Sequence, residues 1–113
     1  MKSLNEQAAD LLENAGAVLW LPEWWTTEIS ASDKGGRHTG IFDLEACRFC
    51  ASGALTAARV ETRVSSRVSS MASVAMDDQV GMYYVDFNDR AKNSKQVAIA
   101  MFLAADKLRR GAL

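Results

Sequence analysis

Cys47 and Cys50 stand three residues apart, a C-x-x-C pair. Zinc asks for about four ligands, and structural zinc sites usually draw on two such pairs. This chain has one pair and a single histidine, His38, so neither a metal site nor a cofactor is expected. A redox dithiol wants its first cysteine at a helix start after a strand, whereas Cys47 follows Leu44-Glu45-Ala46 in a stretch that reads as helix. Cys50 with His38 and Asn88 supplies the residue types of a cysteine hydrolase: a thiolate nucleophile, an imidazole base and an amide to orient it. The chain order is not Cys, His, Asn, and no local signature surrounds Cys50. Free cysteine is among the most buried residue types, so core packing is the preferred reading for both thiols, and thiols so placed should react slowly.

Trp20, Trp24 and Trp25 form the second constellation. Tryptophan is enriched among the anchors of protein interfaces, and it equally serves to seat a hairpin on a core. Adjacent residues of a strand face opposite sides. Trp25 therefore continues with Thr27 and Ile29 toward the core, while Trp24 lines up with Thr26, Glu28 and Ser30. Trp24 is thus a candidate anchor for a protein partner, with Arg37 and His38 on the return strand. Arg59, Arg63 and Arg67 recur every four residues, a basic line that Arg48 would extend. Such a line suits phosphate or an acidic partner, although a solvated helix face is its commoner meaning. No groove-reading motif accompanies these arginines, so nucleic acid is not expected. Asn88-Asp89 reads as a turn whose side chains satisfy backbone donors, or else as the floor of a polar pocket.

The elements that must position these residues follow from patterning. Ser3 with Glu6 is a capping box that starts a helix at Leu4. Leu4, Ala8, Leu11, Leu12 and Ala15 line one face of it, and Gly16 is expected to end it in the left-handed conformation. Trp24 to Ala31, rich in aromatic and β-branched residues, predicts a strand. Asp33-Lys34-Gly35-Gly36 is the strongest turn signal, and Arg37 to Phe42 returns as the second strand. Asp43 is the expected N-cap of a central helix through Ala58. Its small and apolar residues surround nearly the whole cylinder, and its Gly53 admits a close neighbour. Val60, Val64, Val68, Met71 and Ala75 mark a second stripe, on a further helix from about Thr62 to Met76. Val80 to Phe87 fits either a strand or an extended crossing. Asn93 with Gln96 caps the last helix, whose inward face is Val97, Met101, Ala104, Ala105 and Leu108, and Lys107, Arg109 and Arg110 suit its negative end.

Composition narrows the function classes. A chain of 113 residues fits one domain, 1–113, able to bury a core. A formal net charge of -1 supplies no general attraction for nucleic acid or membranes. No apolar run approaches the roughly 20 residues of a membrane span, and the polar residues among Met1 to Asn14 do not make a signal peptide. Two cysteines without a disulfide framework fit a reducing compartment, so a cytoplasmic location is expected.

Cys50-Ala51-Ser52-Gly53-Ala54-Leu55, then Phe87-Asn88-Asp89, then a helix opening near Ser94-Lys95-Gln96-Val97, resembles a family of small proteins of actinobacteria, other bacteria and their phages, catalogued as a domain of unknown function. Its pattern runs from an N-terminal helix through a tryptophan-bearing hairpin and a Cys-x-x-Gly-Ala-Leu helix to a further helix, Trp-Asn-Asp and a final helix. The resemblance spans roughly Leu4 to Leu108, with Phe87 in place of the usual tryptophan. It implies this architecture and a bacterial or phage origin, and it brings no activity.

The expected fold is a mainly helical α+β domain: about four helices packed round the small-residue helix, with one two-stranded antiparallel hairpin. The expected role is a non-catalytic accessory protein that binds another protein, a class that includes phage inhibitors of host defence. The binding residues named for it are Trp24, Arg37, His38, Arg59, Arg63 and Arg67. The alternative is a small cysteine-dependent enzyme using Cys50, His38 and Asn88.

Overall fold

The computed structural model describes residues 2–111. It is mainly helical, with five α-helices and one two-stranded antiparallel hairpin, the α+β class expected from the sequence.

Helix α1 (Leu4–Leu19) starts where the capping box places it, with the Ser3 hydroxyl accepting from the Glu6 N–H at 3.1 Å. It does not stop at Gly16. A β-carbon there would lie 2.7 Å from Cε1 of Phe102, so Gly16 is a packing glycine inside the helix, where a ring edge takes the space of a side chain. The chain then makes one 3-10 turn (Pro22–Trp24) and runs irregularly to β1 (Ala31–Ser32). The Asp33–Gly36 turn forms as expected, with Gly36 N–H donating to Asp33 C=O and φ of 86° at Gly36.

The partner strand differs from the expectation. Arg37–Phe42 contributes only a single bridge, His38 to Ser32. The ladder is instead made by β2 (Arg48–Phe49), pairing Ala31 with Phe49 and Ser32 with Arg48. The central helix is correspondingly shorter. Asp43 accepts from the N–H of Glu45, two residues on, and so closes a local turn rather than capping a helix. The N-cap of α2 (Ala51–Thr62) is Cys50, whose Sγ accepts from the Gly53 N–H at 3.3 Å. Close approach at Gly53 is real: a β-carbon there would stand 2.1 Å from the Ser30 carbonyl oxygen, which also accepts from Cys50 N–H.

Arg63 adopts φ 57°, ψ 35° and breaks the chain between α2 and α3 (Ser66–Val80). The third helix therefore begins after Ser65, which caps the Val68 N–H, and continues past Met76 to Val80, with Gly81 as its left-handed terminator. Val80 to Phe87 is not a strand. Tyr84–Arg90 is a short helix, α4, whose first N–H donates to Asp77 Oδ1 of α3 at 2.8 Å. Asn88-Asp89 lies within it rather than in a turn. Helix α5 (Ser94–Arg109) is capped as expected: Asn93 Oδ1 accepts from Gln96 N–H, and Gln96 Oε1 reaches back to Lys92 N–H, each at 2.9 Å.

Helices α1 and α5 lie antiparallel along their length. Asn5 reaches the Leu108 carbonyl at one end, Gly16 meets Phe102, and Trp20 meets Lys95 at the other. Ala8, Ala9, Ala15, Ala98, Ala104 and Ala105 are all fully buried in this region, so the backbones pack closely. Helix α2 packs on α1, α3 covers α1 and α5, and α4 joins α2 to α3. Helices α1 and α3 each pack on three of the other α-helices. Of the described residues, no helix is long and apolar enough to cross a membrane.

Candidate functional site

At the first turn of α2 the structure assembles a polar corner from three segments. Asn88, fully buried on α4, accepts on Oδ1 from Trp25 Nε1 at 2.9 Å and from Ala51 N–H at 3.0 Å, and its Nδ2 donates to the Thr26 carbonyl at 3.2 Å. Ala51 is the first residue of α2, so its N–H has no partner within that helix. Asn88 thus caps a helix distant in sequence while holding the Trp25 indole and the Trp25–Thr26 backbone. Its neighbour Asp89 accepts from Glu28 N–H at 2.8 Å, and Glu28 holds φ of 68°, a conformation that non-glycine residues rarely adopt. The sequence reading that Asn88 and Asp89 satisfy backbone donors holds, but the donors lie some 37 and 61 residues away.

The cysteine constellation is only partly drawn together. Cys50 is buried at this corner, beside a cleft of about 190 Å³ lined by Glu28, Ser30, Ser52, Tyr83 and Asp89. Asn88 is adjacent, but its oxygen is already shared by two donors. His38 is exposed on the loop between β1 and β2, and among the described residues no hydrogen bond joins its ring to Cys50 or Asn88. Cys47 is half-buried rather than buried, and it lies outside any helix because β2 intervenes before Cys50. Among the described residues no cluster of three or more His, Cys, Asp or Glu side chains is placed to hold a metal.

The two neighbouring tryptophans part company, though not through strand alternation. Trp25 turns inward to Asn88, and its backbone bridges Phe49. Trp24, the last residue of the 3-10 turn, is 42% exposed. It forms a ridge between two shallow grooves. One is lined by Ala17, Val18 and Leu21; the other by Glu23, Lys34, Cys47 and Arg48. The loop between the strands carries two more exposed apolar side chains, Phe42 at 63% and Leu44 at 101%. Patterning alone does not single out this pair, because it places Phe42 on a strand and Leu44 on a helix. Their apolar character within a stretch dense in Gly, Asp and Glu was the available signal. Arg37 is exposed on the same loop, closing the turn through its N–H to Asp33 Oδ1 and its Nε to Asp33 Oδ2.

The arginines form no single line. Arg63 in the left-handed conformation ends α2, so Arg59 and Arg67 belong to different helices, and Arg48 sits on β2 with its guanidinium donating to the Lys34 carbonyl. Arg59 reaches across the break to Ser66 Oγ at 2.8 Å, Arg63 is exposed, and Arg67 borders a groove with Met71, Val74 and Leu108.

No curated protein and no solved structure matches the chain. A family described only as a family of unknown function (DUF6197) matches residues 3–108, from the N-cap of α1 to the last buried residue of α5. The resemblance seen in the cysteine-glycine helix and the Phe87-Asn88-Asp89 segment is therefore borne out across residues 3–108, and the chain belongs to this family.

Proposed function

We propose that this is a small non-catalytic protein of bacterial or phage origin that acts in the cytoplasm by binding another protein, and that Trp24 with the loop between the strands is its binding face. An inhibitor of a host defence protein belongs to this class. The observation that carries the reading is the division of labour between Trp24 and Trp25. One indole is tied into the polar corner by Asn88, and the other stands 42% exposed between two grooves. Tryptophan is enriched among interface anchors; Leu21 shares one of the two grooves with Trp24, and Phe42 and Leu44 are exposed on the loop between the strands. Arg37 and His38 supply a polar rim, the arrangement in which partner choice is tuned. Arg59, Arg63 and Arg67 lie on the α2–α3 break and form a secondary contact region in this reading.

Commitment of Asn88 to three backbone and indole contacts supports a structural rather than a catalytic use of the Cys50 corner. A cysteine-dependent enzyme remains the competing function, and rapid alkylation of Cys50 in the native state at neutral pH would favour it.

Co-purification from the native host with wild type and Trp24→Ala tests the proposal. The expected outcome is an unchanged melting curve with loss of a specific partner. A stability loss of several kcal/mol, the scale of large-to-small core substitutions, or retention of the same partner, would overturn it.

A further inference from the structure

A second surface, separate from the Trp24 face, lies on the outer side of α5. At 100° per residue, Lys95, Ile99, Leu103 and Asp106 fall within about 80° of one another. All four are exposed, and Ile99 and Leu103 remain 46% and 47% accessible although the helix is packed against α1 and α3 on its other side. Reading along the helix, the stripe is positive, apolar, apolar, negative. Reversed, it is negative, apolar, apolar, positive. An antiparallel copy therefore matches it: with Ile99 opposite Leu103 of the second copy, Lys95 and Asp106 of the two chains come within about 1.5 Å of one another along the axis, one residue's rise.

We infer that α5 is a self-association face and that the occupant is a second copy of this chain, related by a twofold axis through the region between Ile99 and Leu103. Isologous contacts of this kind repeat each interaction twice, so two Ile99–Leu103 contacts and two Lys95–Asp106 pairs form together. The present environment of these groups permits it. Lys95 Nζ lies 5.1 Å over the Trp20 ring at the edge of the stripe, and among the described residues the Asp106 carboxylate pairs with the exposed i,i+4 Arg110. Lys92 and Arg110 beyond the two ends add like charge, and two half-exposed apolar side chains per copy make a contact smaller than that of a standard stable interface. The dimer is therefore a weak one.

Sedimentation velocity from about 10 µM to about 1 mM chain should show a reversible monomer–dimer equilibrium. Ile99→Glu and Leu103→Glu, both at exposed positions, should each abolish it while leaving the melting curve in place. Lys95→Glu alone should weaken association roughly tenfold, because a carboxylate in place of the ammonium then faces Asp106 of the second copy in both symmetric contacts. The double variant Lys95→Glu/Asp106→Lys should restore it. Restoration separates pairing between copies from loss of the Trp20 contact, which the double variant cannot recover. A monomer throughout the range, a dimer insensitive to Ile99→Glu, or failure of the charge exchange to restore association overturns the inference. None of these results bears on partner binding at Trp24.

Discussion

Asn88 is the side chain on which most separate segments converge. Removing it leaves the Trp25 indole N–H, the Ala51 N–H and the Thr26 carbonyl without partners at a buried corner. Each buried unpaired group costs roughly 1–3 kcal/mol. Asn88→Ala should therefore destabilise the protein by about 3 kcal/mol in a urea titration, with a shift in tryptophan emission as Trp25 is released. Gly53 offers a sharper test, because the usual helix arithmetic predicts the opposite sign. Gly→Ala inside a helix normally stabilises by about 1 kcal/mol, but here the new methyl would meet the Ser30 carbonyl at 2.1 Å, and that oxygen is held by Cys50 N–H. Gly53→Ala is expected to cost about 2 kcal/mol or more, and Gly53→Leu more again. At Gly16 the obstruction is the edge of a half-buried Phe102 ring, which can tilt. Gly16→Ala should stay within about 1 kcal/mol of wild type. Comparable losses at both glycines in a thermal melt would contradict this distinction between backbone and side-chain obstruction.

At the scale of elements, each of four helix starts is set by a short polar device. Ser3, Cys50, Ser65 and Asn93 each accept from an N–H three residues ahead. Asn93→Ala should cost about 1 kcal/mol, measured as a lowered midpoint with an unchanged denaturant slope. The displaced start of α2 changes what is expected of its thiols. Cys47 is partly open and Cys50 is buried. A thiol reagent added to native protein should label Cys47 first and reach Cys50 only with denaturant. Labelling of both at equal, rapid rates would show that the α2 corner opens.

For the whole molecule, the antiparallel α1–α5 pair is the frame, and one exposed ion-pair cluster ties the C-terminal end of α5 to the middle of α1. Arg109 of α5 bonds Asp10 and Glu13 of α1, and Lys2 bonds Asp10. The Lys2 hydrogen bond above all, then Arg109, holds the Asp10 carboxyl below its ordinary range. At Asp33 the Arg37 backbone N–H does the same. A carboxyl whose folded pKa is depressed contributes stability that is complete above its unfolded value, near 4, and is lost as pH falls through the folded value. The melting temperature should accordingly fall below about pH 4, and Asp10→Asn should flatten that fall. Because the Asp10 side chain is 33% exposed, the effect at pH 7 should stay below about 1 kcal/mol. An acid profile identical in Asp10→Asn and wild type would remove Asp10 from this account.

Features under local chemical control are readable from the chain alone. The caps at Ser3 and Asn93, the Asp33–Gly36 turn, the inward faces of α1 and α5 and the tight contact at Gly53 were all legible, because each depends on residues within one or two turns or on the absence of a side chain. The class of fold followed from these. Tertiary structure decided the rest. Gly16 looks like a terminator, but Phe102 packs over it and the helix continues. Leu44 to Phe49 has helical composition, yet Arg48–Phe49 pairs with Ala31–Ser32 and moves the cap from Asp43 to Cys50. Val80 to Phe87 has strand composition, but Asp77 supplies a cap for Tyr84 and a short helix forms. The arginine spacing of four held through Arg63, where the backbone turns left-handed and breaks the line. The polar corner was the least legible part: Asn88, Trp25, Thr26 and Ala51 are joined by hydrogen bonds across gaps of 37 to 63 residues, and no local periodicity records which donor a distant amide will meet.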